Sequence, residues 1–161
     1  MHGQVKAIPD GYPVVTPYLT VRGATQAIAF YEKAFGARER FRMPGPNNTI
    51  GHAELDIGTS LIMLADEAPG MGNKSPQGLN GTPVGLALYV EDVDAVCARA
   101  ISAGATVQQP VEDRFYGDRT GTVVDPFGHQ WMLMTHIEDV SPEEMERRAA
   151  EFMKAPGAAT T

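Results

Sequence analysis

Apolar residues in this chain repeat with two periods, and the two periods alternate in an order that occurs twice. Val14–Val21 reads as a strand. Behind it, Ala24, Ala27, Ile28, Tyr31, Ala34 and Phe35 keep the spacing of one helix face, and Gly36 stands where a left-handed residue ends a helix. Arg38–Met43, Ile50–Ile57 and Ser60–Ala65 then read as three strands. Val84–Val90 opens a second round. A helical stripe of Val93, Val96, Cys97, Ala100 and Ile101 follows, with Gly104 as its stop, and then strands over Thr106–Arg114, Arg119–Val124 and Gln130–His136. Each half is predicted to be βαβββ.

An offset of 69 residues, from Leu19 to Leu88, lays "LTV" on "LYV" and Asp56 on Asp125. "DPFG" (Asp125–Gly128) carries Asp, Pro and Gly at the positions a type I turn favours, so His129 behind it reads as a structural or solvent-facing residue. Between the halves, Asp66–Pro83 is a long Gly/Pro-rich connection of the kind that is functional or mobile. Ser141-Pro142-Glu143-Glu144 is a capping box opening a helix over about 141–154. Its stripe of Met145, Ala149, Phe152 and Met153 must dock on this chain or on a partner. The expectation is one α+β domain spanning 1–161, with modules at about 14–65 and 84–138, a linker at 66–83, and the C-terminal helix.

Composition narrows the function classes. With 161 residues, 43% of them hydrophobic, the chain can bury one core without staples. Thirteen basic against twenty acidic side chains give a net charge of −7, which offers no electrostatic footprint for nucleic acid. No apolar run approaches a membrane span, so neither nucleic acid nor membrane is expected as a partner. Cys97 is the single cysteine and belongs to a helix stripe, which makes it a core residue rather than a nucleophile. "MHGQVKAIPDGYP" lacks the apolar stretch of an export signal, so a cytoplasmic location is expected. His2 and the final "APGAATT" read as frayed ends.

Two stretches carry candidate chemistry. In "IGHAELDI", alternation puts His52, Glu54 and Asp56 on one face and Ala53, Leu55 and Ile57 on the other, which should meet the helix. His52 and Glu54 are then candidate catalytic residues, close enough to share a proton or hold an ion; alternatively the face is simply solvated. In "DRFYGDRTG", Tyr116 is placed to stack on a planar ligand and Arg119 to bind a carboxylate or phosphonate. The other reading is a bulge with Arg119 paired to Asp118 or Glu112. His136 shares strand parity with Met132, at the strand's end.

Together, the two βαβββ modules, "AIAFYEKAFGA", "YVEDVDAV" with its later "AGA", and "DPFGHQW" closely resemble the vicinal oxygen chelate superfamily of glyoxalase I, bleomycin-resistance proteins and extradiol dioxygenases, over about Val14–Glu138. "MPGP", "HAEL", "FYGDRTG" and "THIEDVSPEEM" are most similar to its PhnB-like group. The resemblance implies sheets that curl around a ligand cleft, outer helices, and commonly a homodimer. In glyoxalase I-like members it also implies a divalent metal held by His and Glu from the first and last strands of each module.

Carried onto this chain, those metal positions fall at Thr16, Met63, Gly85 and Met132, none of them a His or a carboxylate. No metal and no other cofactor is therefore expected, because thioethers are poor ligands for Mg²⁺, Mn²⁺ or Zn²⁺ and pack readily against apolar guests. Tyr18 and Tyr89 share parity with Thr16 and Gly85. With Met63, Met132, Tyr116 and Arg119 they complete the expected ligand-binding set. The leading expectation is a metal-independent small-molecule binding protein of the bleomycin-resistance type, capturing an apolar or aromatic compound in a dimer cleft. The alternative is a lyase, isomerase or dioxygenase with His52 and Glu54 as displaced ligands or as base and orienter. A third reading makes the C-terminal helix an interaction element.

Overall fold

The computed structural model describes residues 5–157, so His2 and the last four residues lie outside it. The first module runs β1 (Tyr18–Val21), α1 (Ala24–Phe35), β2 (Arg38–Pro44), β3 (Ile50–Ile57) and β4 (Ser60–Asp66). After a short α2 (Pro76–Leu79), the second runs β5 (Gly85–Tyr89), α3 (Val93–Ser102), β6 (Thr106–Asp113), β7 (Asp118–Val124) and β8 (Gln130–His136), followed by α4 (Pro142–Lys154). The strands form two four-stranded mixed sheets of order β1-β4-β3-β2 and β5-β8-β7-β6. In each, the first strand runs parallel to the last and the other pairs are antiparallel. The fold is α+β, two βαβββ modules and a C-terminal helix.

The chain divides into two compact units, the first reaching Thr82 and including Pro126–Gly128, the second made of Pro83–Asp125 and the chain from His129. In the first, Ala24, Ala27, Ile28, Tyr31 and Ala34 of the stripe predicted for α1 are buried together with Phe30, while Phe35 is half-buried, and Ala53, Leu55 and Ile57 lie on the buried side of β3 with Leu19, Val21, Ile62 and Leu64. Phe127 closes this core, its ring 6.3 Å from that of Phe30 and 6.4 Å from that of Tyr31. The strand expected from Val14 begins only at Tyr18, because Pro13 and Pro17 have no N–H to give a ladder.

Both helices are tied down by equivalent residues of the repeat. Gly23 provides no side-chain cap for α1. Instead Asp66, at the end of β4, accepts from the backbone N–H groups of Gly23 and Ala24 at 2.9 and 2.8 Å and, with its other oxygen, from Ile50 at 2.8 Å. In the second unit Thr135, 69 positions on, accepts from the N–H of Val93 at 2.9 Å, and Asp92 caps α3 through Ala95 at 3.0 Å. Orphan donors at a helix start need such acceptors, and here the neighbouring strand supplies them.

The 69-residue offset holds for the parallel pairs, since Tyr18 faces Met63 as Ala87 faces Met132. It fails at the hairpins. β3 turns into β4 tightly, with Ile57 opposite Ser60, whereas Val124 is opposite Gln130. Asp56 therefore lies within β3 opposite Leu61, while Asp125 lies beyond β7 and does not correspond to it, a correction to the sequence alignment. Buried Asp125 instead organises the longer turn, accepting from the His129 N–H at 3.0 Å and the Trp131 indole N–H at 2.9 Å. Its own N–H donates to the His129 carbonyl at 2.9 Å.

Helix α4 docks on its own chain. The rings of Phe152 and Phe115 lie 5.1 Å apart, and Arg148 donates to the Phe115 carbonyl at 3.2 Å and to the Glu138 carboxylate at 2.7 and 2.8 Å. The connection 66–83 is anchored too: Glu67 accepts from Arg22 at 2.7 Å and from the Ser75 hydroxyl at 2.5 Å, bonds that hold its carboxyl down at about 2. Among the described residues no helix is long and apolar enough to cross a membrane.

Candidate functional site

Each sheet turns one face to its helix and leaves the other for side chains of opposite strand parity. On the first sheet that second face carries Tyr18 and Thr20 from β1, Met63 from β4, His52, Glu54 and Asp56 from β3, and Phe41 and Met43 from β2. The registers Tyr18–Met63, Glu54–Met63, Phe41–Glu54 and Met43–His52 fix this grouping. Tyr18, Phe41 and Met43 are exposed there, at 51, 41 and 51%. Glu54, by contrast, is only 3% exposed, so this face is not the merely solvated surface that alternation alone allowed.

Three of these groups form one hydrogen-bonded chain with Tyr12. The Tyr18 hydroxyl and His52 Nδ1 are 2.8 Å apart, His52 Nε2 and Glu54 Oε1 are 3.3 Å apart, and Tyr12 donates to Glu54 Oε2 at 2.7 Å. The bond to Glu54, with burial second, pushes the Tyr12 phenol up, and burial does the same for Tyr18. Arg40 is bound to Asp56 at 2.7 Å and to the Gly11 carbonyl at 3.3 Å, with its guanidinium 5.4 Å from the centre of the Tyr12 ring. Tyr18 and Thr20 also line a groove of about 610 Å³, walled by Ile50, Ala65, Asp66 and Met71 among others. Sequence reasoning missed Tyr12, Phe41 and Met43. The alternation of Phe41 and Met43 along β2 was a usable signal; Tyr12, outside any element, offered none.

The second sheet carries a different constellation on its equivalent face. Tyr89 donates to Asp118 Oδ2 at 2.7 Å, and His136 is 2.7 Å from Asp118 Oδ1 through Nδ1 and 2.9 Å from Asp139 through Nε2. Burial pushes the Asp118 carboxyl up, but the hydrogen bonds from His136 and Tyr89 outweigh it and hold it below its ordinary value. Met132 stands on this face, as do Gly85 and Tyr89 by register with β8. Tyr116 lies in the turn between β6 and β7, its ring 5.3 Å from that of Phe115. Arg119 is a correction: it points to the helix side, bound to Asp94 of α3 at 2.8 and 3.0 Å and to Asp113 at 2.9 Å. Its guanidinium is committed, and to neither of the partners expected from sequence. Cys97 is buried, and burial pushes its thiol up, as befits a core residue.

His136 yields a pH dependence. Both ring nitrogens face carboxylates, so only the imidazolium donates to both. Asp139 first and Asp118 second raise its folded-state pKa above the ordinary value of 6.5. A raised folded value contributes stability that is complete below the unfolded value and lost as pH rises through the folded one. The melting temperature is therefore expected to fall as pH rises from roughly 6.5 upward, and His136→Asn to flatten that slope in thermal melts across this range.

Residues 13–133 match the family model described as Glyoxalase/Bleomycin resistance protein/Dioxygenase superfamily. The chain belongs to this superfamily. An uncharacterized protein of Mycobacterium tuberculosis is 47% identical over 137 residues, covering 83% of this chain and 81% of its own. The X-ray structure of a gene product from Arabidopsis thaliana is 27% identical, with a TM-score of 0.61, covering 76% of this chain and 98% of its own. The PhnB protein from Bacillus cereus shares the fold at 18% identity, with a TM-score of 0.60 and coverage of 76% and 99%.

The resemblance to glyoxalase I-like members implies metal positions at Thr16 and Met63 in the first unit and at Gly85 and Met132 in the second. The donors there are one hydroxyl, two thioethers and no side chain at all. Neither pair offers the hard ligands a divalent cation prefers. Among the described residues no group of three or more His, Cys, Asp or Glu is arranged to hold one elsewhere.

Proposed function

We propose that this superfamily member is a metal-independent small-molecule binding protein, and that the helix-free face of its first sheet receives an apolar or aromatic guest. One observation carries the reading: exposed Tyr18, Phe41 and Met43 share that face with Met63, beside a groove of about 610 Å³. Aromatic rings and thioethers grouped on an otherwise polar surface mark a place where apolar ligands are taken up. An aromatic guest that covers roughly 200 Å² of apolar surface gains about 5 kcal/mol before the cost of association. Exposed Met132 and Tyr89 on the second sheet's equivalent face belong to the same proposal. So do a cytoplasmic location and the homodimer that the superfamily resemblance implies, the latter to be read by sedimentation.

The test is a thermal-shift and calorimetric screen of the full chain against aromatic compounds. Binding to wild type that survives chelation supports the proposal. We expect EDTA to leave both the melting temperature and guest affinity unchanged, and elemental analysis to find no stoichiometric divalent metal. About one metal per chain, lost together with stability, would overturn it.

A further inference from the structure

We infer that the first sheet's open face is also a metal-independent proton-transfer site, in which Tyr18 accepts a proton from a weakly acidic O–H or C–H group of a bound planar ligand while passing its own to His52, backed by buried Glu54. The inference rests on the reading that a small molecule seats on this face.

The direction of each hydrogen bond carries the argument. An ionised carboxylate only accepts, so Tyr12 donates to one oxygen of Glu54 at 2.7 Å and the His52 Nε2–H points at the other across 3.3 Å. In the neutral imidazole Nδ1 is then the lone-pair nitrogen, and Tyr18, 2.8 Å away, donates to it. The order is hydroxyl, imidazole, carboxylate, each proton pointing inward toward the residue that water barely reaches. That is the ordering by which an imidazole activates a hydroxyl oxygen. Tyr18 belongs both to this chain and to the groove, and its oxygen keeps lone pairs for a ligand.

The step balances. The ligand's X–H bond breaks and its proton goes to the Tyr18 oxygen; the Tyr18 O–H bond breaks and its proton goes to His52 Nδ1. The ligand keeps the electron pair, and the imidazolium lies against the Glu54 carboxylate. Return of the proton to another ligand atom makes the reaction class a tautomerisation or enolisation. Burial raises the Tyr18 phenol, so the residue does not ionise alone and needs His52 to receive its proton in the same step. The neighbouring charges leave the pair intact: Asp56 is taken by Arg38 and Arg40 at 3.1 and 2.7 Å. The flat floor comes from rings, with Tyr18 at 5.5 Å and Phe41 at 5.7 Å from the His52 ring. Tyr18 is the group that meets the ligand; His52 and Glu54 act through it.

The probe is para-nitrophenol, yellow as the anion and colourless as the phenol, added to the full chain at a pH below the compound's own pKa. Calorimetry reads binding and absorbance reads ionisation. We expect wild type to bind it and turn it yellow. In His52→Gln and Tyr18→Phe, checked for fold by circular dichroism, the yellow fraction of whatever compound is bound should fall by at least about tenfold, the loss of one pKa unit of coupling. Colourless bound compound in wild type, or equal colour in wild type and both variants, overturns proton transfer and leaves the binding reading standing. No binding to wild type overturns both. Imidazole nitrogen NMR on the ligand-free protein is an independent check, and a proton on Nδ1 rather than Nε2 of His52 would also overturn the relay.

Discussion

Met63→Glu is expected to weaken an aromatic guest by at least about tenfold, and the loss should grow as pH rises. Met63 faces Tyr18 across the parallel ladder and Glu54 across the antiparallel one. A carboxylate there lies cross-strand from one that is 3% exposed, and Arg38 and Arg40 are already held by Asp56. Two such groups cannot both ionise cheaply, so one is pushed up and the pair acquires its second charge only toward neutral pH. That charge must be desolvated when an apolar guest covers it. Met63→Gln, polar but uncharged, should lose much less and show no such pH dependence. Calorimetry at acid and neutral pH on both variants decides it; affinity unchanged in Met63→Glu would mean the guest does not touch β4.

Asp125→Ala is expected to destabilise the protein by about 2–4 kcal/mol, a large fraction of a domain's stability. The residue is 3% exposed and its two oxygens receive the His129 N–H and the indole N–H of buried Trp131. Alanine removes both acceptors, and each buried donor that loses one costs about 1–3 kcal/mol. Asp125→Asn keeps one acceptor oxygen and should fall between. In urea melts the midpoint should drop with an unchanged slope. A change below about 0.5 kcal/mol would show that the turn is held by other means.

The superfamily reading and the stability of this turn meet in one stretch. "DPFGHQW" carries much of the resemblance, and within it Asp125 binds the backbone N–H of His129 and the indole N–H of Trp131. Its conspicuous residues are explained by the five-residue turn that separates Val124 from its partner Gln130.

What the sequence by itself determined was the set of elements and the faces of most strands. Periodicity is local: alternation within Ile50–Ile57 put His52 and Glu54 opposite Ala53 and Leu55, and helical spacing identified most of the buried stripe of α1, because side-chain direction follows from backbone geometry over a few residues. The repeat offset, read from short motifs, also appeared as strand register. Tertiary structure alone decided which groups meet. Tyr12 and Glu54 are 42 residues apart, Asp66 reaches Gly23 and Ala24 across the sheet, and a longer second hairpin shifted β7 by one residue against the repeat. Arg119 turned to α3 rather than to the open face because its strand parity, set by pairing with Thr135, put it opposite Asp94. Such pairings depend on chain closure over tens of residues, which no local period records.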